Sequence, residues 1–504
     1  MKLGLVFGRS IGVLGAAAAC ACGADASSAR SDEQAASETA TTISAVDVND
    51  VSVLFAQNRQ DGSLFPDVKL SDALANATSD AAHDVIVPQS VFDGVMAFAS
   101  TPSPTGVKRA IDLSAFQGDT GGAGDLSKWR VVGFRFDACA RNTATAPSLT
   151  KLSSLSVADL KGPTCAAQLR LIAQPLVHTG GTILPEALND YALHIIYTLG
   201  LGDVVGDRAA IIDDLLALKK TTTTAGFPTT NLPLGVHPAL AARDATVGKA
   251  VQTFLSKHLK NTVTVTLGGT KVPLGLTNVA MMGLENKTLE PWAFFAGAVA
   301  KGASFSPLPI PVFADPNVVA QRFTVLGAPG IPAGTHLDPL SPSTVTSTAR
   351  MFATSKSSQP PADDVTRDIH IVNNPERVDF FRTDCVSCHT ATQRELDLSA
   401  PSNDSARSRF VPPPGITGYA ARTTAQVGVW NTRNFGYFIS TGPTVSLRAA
   451  NETAEVASTV NRLRGQKNPG VSCAANEQAL FECFTTGSRP AASCVAAICS
   501  QGRN

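Results

Sequence analysis

Ten cysteines fall into four groups along this chain, and their spacing constrains its fold more than any other feature. Cys20 and Cys22 lie at the end of an apolar stretch. Cys139 and Cys165 bracket two alternating segments. Cys385 and Cys388 stand close together, and Cys473, Cys483, Cys494 and Cys499 crowd the tail. In 129–137, Val132, Phe134 and Phe136 share one face, and in 168–173 Leu169, Leu171 and Ala173 do the same. That two-residue period predicts half-buried strands. Cys139 follows the first strand and Cys165 precedes the second, so antiparallel pairing brings the two sulfurs to the mouth of the connecting loop. A bridge there contributes about 3 kcal/mol by chain-entropy arithmetic. The four tail cysteines allow three pairings. Helical patterns at 474–484 and 491–498 favour a stapled hairpin with Cys473–Cys499 and Cys483–Cys494.

Disulfides imply an oxidising compartment, and the start of the chain agrees. Lys2 and Arg9 form a positive region, 11–19 is a short apolar run, and small residues lead into Cys20. Residues 1–19 therefore read as a signal peptide, too short to span a membrane. Ala17-Ala18-Ala19-Cys20 resembles the lipobox of bacterial lipoproteins, without the usual Leu three residues before the cysteine. The resemblance implies lipidation at Cys20, with Cys22 as a second candidate. Residues 20–48 are mostly Ala, Ser, Thr and acidic residues, the composition of a flexible tether. Lys+Arg and Asp+Glu both number 41, so the net charge is zero. That excludes nucleic-acid binding by broad phosphate neutralisation. Contact with a membrane is expected through the N-terminal lipid alone.

The fold class expected is α+β. A larger β-rich domain, 49–340, precedes a small, mainly helical module, 365–465, across a Ser/Thr/Pro-rich linker, 341–364. A cysteine-rich helical tail, 466–504, follows. Tyr191, Leu193, Ile195 and Tyr197 alternate on one face of a strand. Gly268-Gly269 splits 262–274 into a hairpin. Helices are expected at 207–220 and 246–260, the second with Val247, Val251, Phe254, Leu255 and Leu259 on one stripe.

Cys385-Val386-Ser387-Cys388-His389 is C-x-x-C-H, the attachment pattern of a c-type haem. Two thiols add across the porphyrin's vinyl groups, and the adjacent imidazole approaches iron from one face. The segment resembles the first helix of small cytochromes c, over about a tenth of the chain. The resemblance implies one covalent haem c held by Cys385 and Cys388, with His389 as proximal iron ligand. It also implies Asn374 as helix cap, Pro375 at the first helical position, and Phe381 against the haem. The alternatives are a thiol-exchange pair, a structural disulfide, or half of a zinc site, the last lacking a second C-x-x-C. The departure from the family is the sixth ligand, because no Met follows Met351 and no His follows His389. His370, in the strand-like 368–372, is the nearest distal candidate, with Met351 and His336 next. Met281 and Met282 read as core, and His178, His194, His237 and His258 are scattered singly, His258 beside an apolar stripe.

Gly200, Gly202 and Gly206 follow a strand, but their spacing misses the dinucleotide fingerprint, and no nucleotide cofactor is expected. The G-x-S-x-G pattern at 8–12 lies inside the signal peptide. The chain therefore reads as an exported, lipid-anchored monohaem protein in periplasmic or outer-membrane electron transfer, with an unknown redox partner. A haem peroxidase or oxidase with an open iron site, and a haem-free surface lipoprotein, are the competing readings.

Overall fold

The alternating segments pair into one ten-stranded antiparallel sheet in this computed structural model. The structure describes residues 45–58, 62–74, 84–101, 123–141, 152–179, 182–188, 191–260, 263–284, 291–300, 304–310, 317–324, 363–378, 383–397, 410–418, 433–438 and 442–469. The expected signal peptide, Cys20, Cys22, His336, Met351, Phe381 and the four tail cysteines lie outside them.

After helix α1 (Val48–Val51), strand β1 (Ser52–Leu54) starts the sheet, and a small side pair, β2 (Ala56–Gln57) with β3 (Leu64–Phe65), follows. Helix α2 (Gln89–Ala99) precedes β4 (Trp129–Arg141). Then come α3 (Val157–Lys161), β5 (Cys165–Thr179), β6 (Thr182–Leu188) and β7 (Ala192–Leu201). Helices α4 (Arg208–Thr224), α5 (Pro238–Ala241) and α6 (Ala245–His258) separate these from β8 (Val263–Leu267), β9 (Thr270–Leu284), β10 (Pro291–Ala300), β11 (Ser304–Pro307) and β12 (Ala320–Thr324). The sheet order is β1-β4-β5-β7-β9-β10-β11, with β6, β8 and β12 pairing β5, β9 and β10.

The first face of the sheet carries the apolar residues that alternation predicts. Phe134, Leu169, Leu171, Leu193, Ile195, Tyr197 and Phe295 are all fully buried there or nearly so. Helix α6 covers this face, and the Phe254 ring stacks on Phe134 at 5.5 Å. Asp244 caps α6 by accepting from the Val247 N–H at 2.9 Å. Helix α4 runs four residues beyond the expected end. The hydroxyls of Thr221, Thr222 and Thr223 in this last turn donate to carbonyls four residues back.

Strands β4 and β5 pair antiparallel as expected, and Cys139–Cys165 is a disulfide at their end. The Gly268-Gly269 hairpin turn is also present, both residues having positive φ of 55° and 82°, the conformation that glycine admits freely. Gly202 and Gly206 serve the backbone: a Cβ on Gly202 would meet the Lys161 carbonyl at 2.2 Å, and one on Gly206 the Leu199 carbonyl at 2.4 Å.

Among the described residues, three helices and a hairpin follow: α7 (Asp363–Val372), α8 (Cys385–Asp397), β13 (Phe435–Phe438) paired with β14 (Gly442–Val445), and α9 (Leu447–Leu463). The expected boundary at 341–364 does not separate two cores. One cluster of buried apolar residues runs from Val46 through the sheet to Val460, and all described residues fall within one unit, Ile43–Asn504. Polar bonds reinforce the closure: Asn461 exchanges two hydrogen bonds with the Val46 backbone, at 2.7 and 2.9 Å.

His237, at the start of α5, is 3% exposed, and its N–H donates to the Leu54 carbonyl at 3.0 Å. Burial pushes its imidazole down to about 4. The unfolded chain binds this proton near pH 6.5, so stability is fully present above that pH and is lost as pH falls towards about 4. The contribution is on the order of 3 kcal/mol. His237→Gln should flatten that part of the pH–stability curve, read by denaturant unfolding at pH 7 and pH 4. Wild type and variant losing stability in parallel would contradict the assignment.

Candidate functional site

The second face of the sheet carries a different register. Ile172, His194, Ala280 and Ala296 form one cross-strand row over β5, β7, β9 and β10. Arg135 and Arg170 pair in the row on one side. Ala192, Met282 and Phe294 form the row on the other. Small residues beside His194 leave a hollow, and α8, α9 and the β13–β14 hairpin roof it. The result is an open-mouthed cavity of about 200 Å³.

Cys385, Cys388 and His389 all line this cavity. They sit in the first turns of α8 at spacings that share one helix face. Asp384 fixes the start of that helix. Its carboxylate accepts from the Ser387 N–H at 2.9 Å and the Ser387 hydroxyl at 2.5 Å. The fully buried Gln321 of β12 donates to Asp384 at 2.9 Å and accepts from the Val386 N–H at 3.2 Å. One carboxamide thus ties the helix N-terminus to the sheet. The expected helix start at Asn374 and Pro375 is corrected: Asn374 accepts from the Glu376 N–H at 2.9 Å to close a turn, and the motif helix begins at Cys385.

The hairpin is held by a second carboxamide. Gln174 of β5 donates to the Tyr437 carbonyl at 2.8 Å and accepts from its N–H at 2.7 Å, as a neighbouring strand would. Asn434, just before the hairpin, donates to the Cys388 sulfur at 3.6 Å.

Cys385 and Cys388 are not bonded to each other. Burial pushes the Cys385 thiol up, and Asp384 and Cys388 add to the shift. Burial also pushes Cys388 up to about 11, against the pull of Arg448 and Asn434. Both are held as neutral thiols, the opposite of a reactive exchange pair, whose thiol is tuned downward. The His389 ring lies 4.9 Å from that of Phe294. Burial pushes the His194 imidazole down to about 3, and Arg170, Arg135 and His389 deepen the shift. His194 therefore carries a neutral ring, the form that binds metals.

The cavity wall is rich in arginine: Arg135, Arg170, Arg433 and Arg448 all line it. Glu452 of α9 bridges two of them, at 2.7 Å to Arg135 and 2.5 Å to Arg448. Burial opposes its ionisation, yet Arg448, Arg135 and Arg170 hold its carboxyl well below the usual range. Asp137 lies 3.4 Å from Arg170.

The remaining expected residues are elsewhere. His370 does not line the cavity, and its segment is helix α7, not a strand. Val365, Ile369 and Val372 recur at helical spacing, and Ile369 is buried in a cluster with Val386 and Ala391 of α8. Met281 belongs to the main core and Met282 to that smaller cluster. His258 bonds Asp214 at 2.7 Å. The residue missed from sequence is His194. Leu193, Ile195 and Tyr197 share one face, and the same alternation puts His194 on the opposite face, with no periodic signal to say that this face is also covered. Among the described residues, no group of three or more His, Cys, Asp or Glu is arranged to hold a metal ion by itself. No protein-family model, curated protein or solved structure matches the chain.

Glu452→Gln keeps the shape but leaves Arg135 and Arg448 without their shared counter-charge. It should lower the unfolding free energy by about 3 kcal/mol, read by denaturant titration at neutral pH. A loss below about 0.5 kcal/mol, the level of an exposed pair, would mean that cavity water already screens these charges.

Proposed function

We infer that the chain is an exported, lipid-anchored protein that carries one covalent haem c in the cavity beneath α8 and passes single electrons. The observation that carries this reading is the convergence of Cys385, Cys388 and His389 on one cavity. The donor set fits the group. Two neutral, unbridged thiols and an imidazole share a helix face, as the C-x-x-C-H chemistry requires. The Met282–Phe294 side of the floor is apolar and suits a flat macrocycle. The arginines on the cavity wall suit its two carboxylates, since guanidinium pairs with carboxylate through paired N–H donors.

When bound, the haem supplies a one-electron iron couple. The chain's own residues do the rest. Cys385 and Cys388 would hold the group through their sulfurs, His389 would offer its imidazole to the iron, and Arg135, Arg170, Arg433 and Arg448 would supply positive charge for its carboxylates. The cytochrome c-like element is then α8 with its neighbours α7 and α9, built onto the sheet rather than set apart from it. The upward-shifted thiols argue against thiol exchange as the activity, since exchange needs thiolate character.

Protein made in a host with haem-attachment machinery should keep its haem stain on a denaturing gel. Cys388→Ala should leave a single thioether and sharply less stained protein, and His389→Ala should abolish the normal low-spin spectrum. An unstained wild type made beside a working attachment system contradicts the reading and favours a haem-free lipoprotein. The anchor has its own test. Replacing Cys20 and Cys22 with Ala should move the protein out of the membrane fraction, and retention there after a high-salt wash would contradict lipidation.

A further inference from the structure

We propose that His194 is the second axial ligand of the haem iron, opposite His389, so that the centre is a closed, bis-histidine electron relay. This rests on the haem reading above and adds the ligand that sequence spacing did not supply.

Four observations carry it. First, His194 and His389 line the same cavity, from the sheet floor and from the roofing helix. Second, the floor is shaped around His194. Ala280 is its cross-strand neighbour on β9, and Ala296 continues the row on β10. A large side chain at either position would fill the hollow where a flat group can lie.

Third, the other soft donors on the cavity wall are committed to packing. Met281 is 3% exposed in the main core, and Met282 is 5% exposed in a cluster with Trp292 and Phe294. His194 is partly buried and lines the cavity. Fourth, its backbone is fixed. His194 pairs with Ile172 on β5 and Ala280 on β9 in the middle of the sheet. A ligand on a central strand is held more tightly than one on a loop, which suits a centre that changes charge without rearranging.

With both axial positions filled by protein, iron has no site for peroxide or a gas. The peroxidase and oxidase readings then give way to electron relay.

The test uses full-length holoprotein with its haem attached. Oxidised wild type should give a low-spin electron paramagnetic resonance spectrum and a near-infrared band of the bis-imidazole type. His194→Ala should convert the iron to high spin and gain carbon monoxide binding, and added imidazole should restore low spin. A His–Met signature in wild type overturns the proposal, as does His194→Ala with the wild-type spectrum. The wild-type signature decides the matter even if His194→Ala fails to fold. Haem staining of the same samples on a denaturing gel separates the two levels. Stained protein with other axial ligands removes His194 alone, whereas unstained wild type removes the haem reading with it.

Discussion

The carboxamide of Gln321 joins the two halves of this molecule. It donates to Asp384 and accepts from the Val386 N–H. Strand β12 therefore holds the first turn of the helix that bears Cys385, Cys388 and His389. Asp384 has its other acceptor sites taken by Ser387. The carboxylate also sits at a helix N-terminus, where negative charge is favoured. Every member of this buried set has a partner, which is the condition under which buried polar groups add specificity rather than instability. An apolar residue at 321 would strand Asp384 and an N–H, at about 1–3 kcal/mol. It would also free the helix to shift against the sheet. Gln174 does the equivalent work at the hairpin. These two side chains determine where the cavity's roof sits over its floor.

Electrostatics then decide what the cavity suits. Four arginines line it with Glu452 and Asp384, and Asp137 lies 3.4 Å from Arg170. The excess is positive. Burial raises the thiols and lowers His194, so sulfur and imidazole are both neutral. A partly apolar cavity with arginines on its wall favours a flat molecule that carries anionic groups. A thiol-exchange site would need the reverse tuning of its cysteines.

Much of the sheet was legible in the sequence because its signals are local. Alternation at 129–137, 168–173 and 191–197 marked β4, β5 and β7, and the positions of Cys139 and Cys165 then implied both their pairing and their bridge. Gly268-Gly269 marked the hairpin, and the apolar stripe marked α6. The misses share a cause, because each depended on contacts distant in sequence. The 368–372 segment alternates enough to resemble a strand, and packing of Ile369 against Val386 makes it a helix. The Ser/Thr/Pro-rich stretch looked like a domain boundary, yet Val46 and Asn461 bond across 415 positions. Of the candidate site, Cys385, Cys388 and His389 were readable as a motif. His194 and the arginines were not, because strand alternation says which residues share a face and not what covers it.

The central claim is that the space between α8 and the sheet holds one haem iron. Anomalous scattering at the iron edge from a crystal of the holoprotein tests this most directly, because it locates the metal without assuming its ligands. The account predicts a single iron peak per chain, inside the cavity between His389 and strand β7. No iron peak, or one bound away from His389, would contradict it.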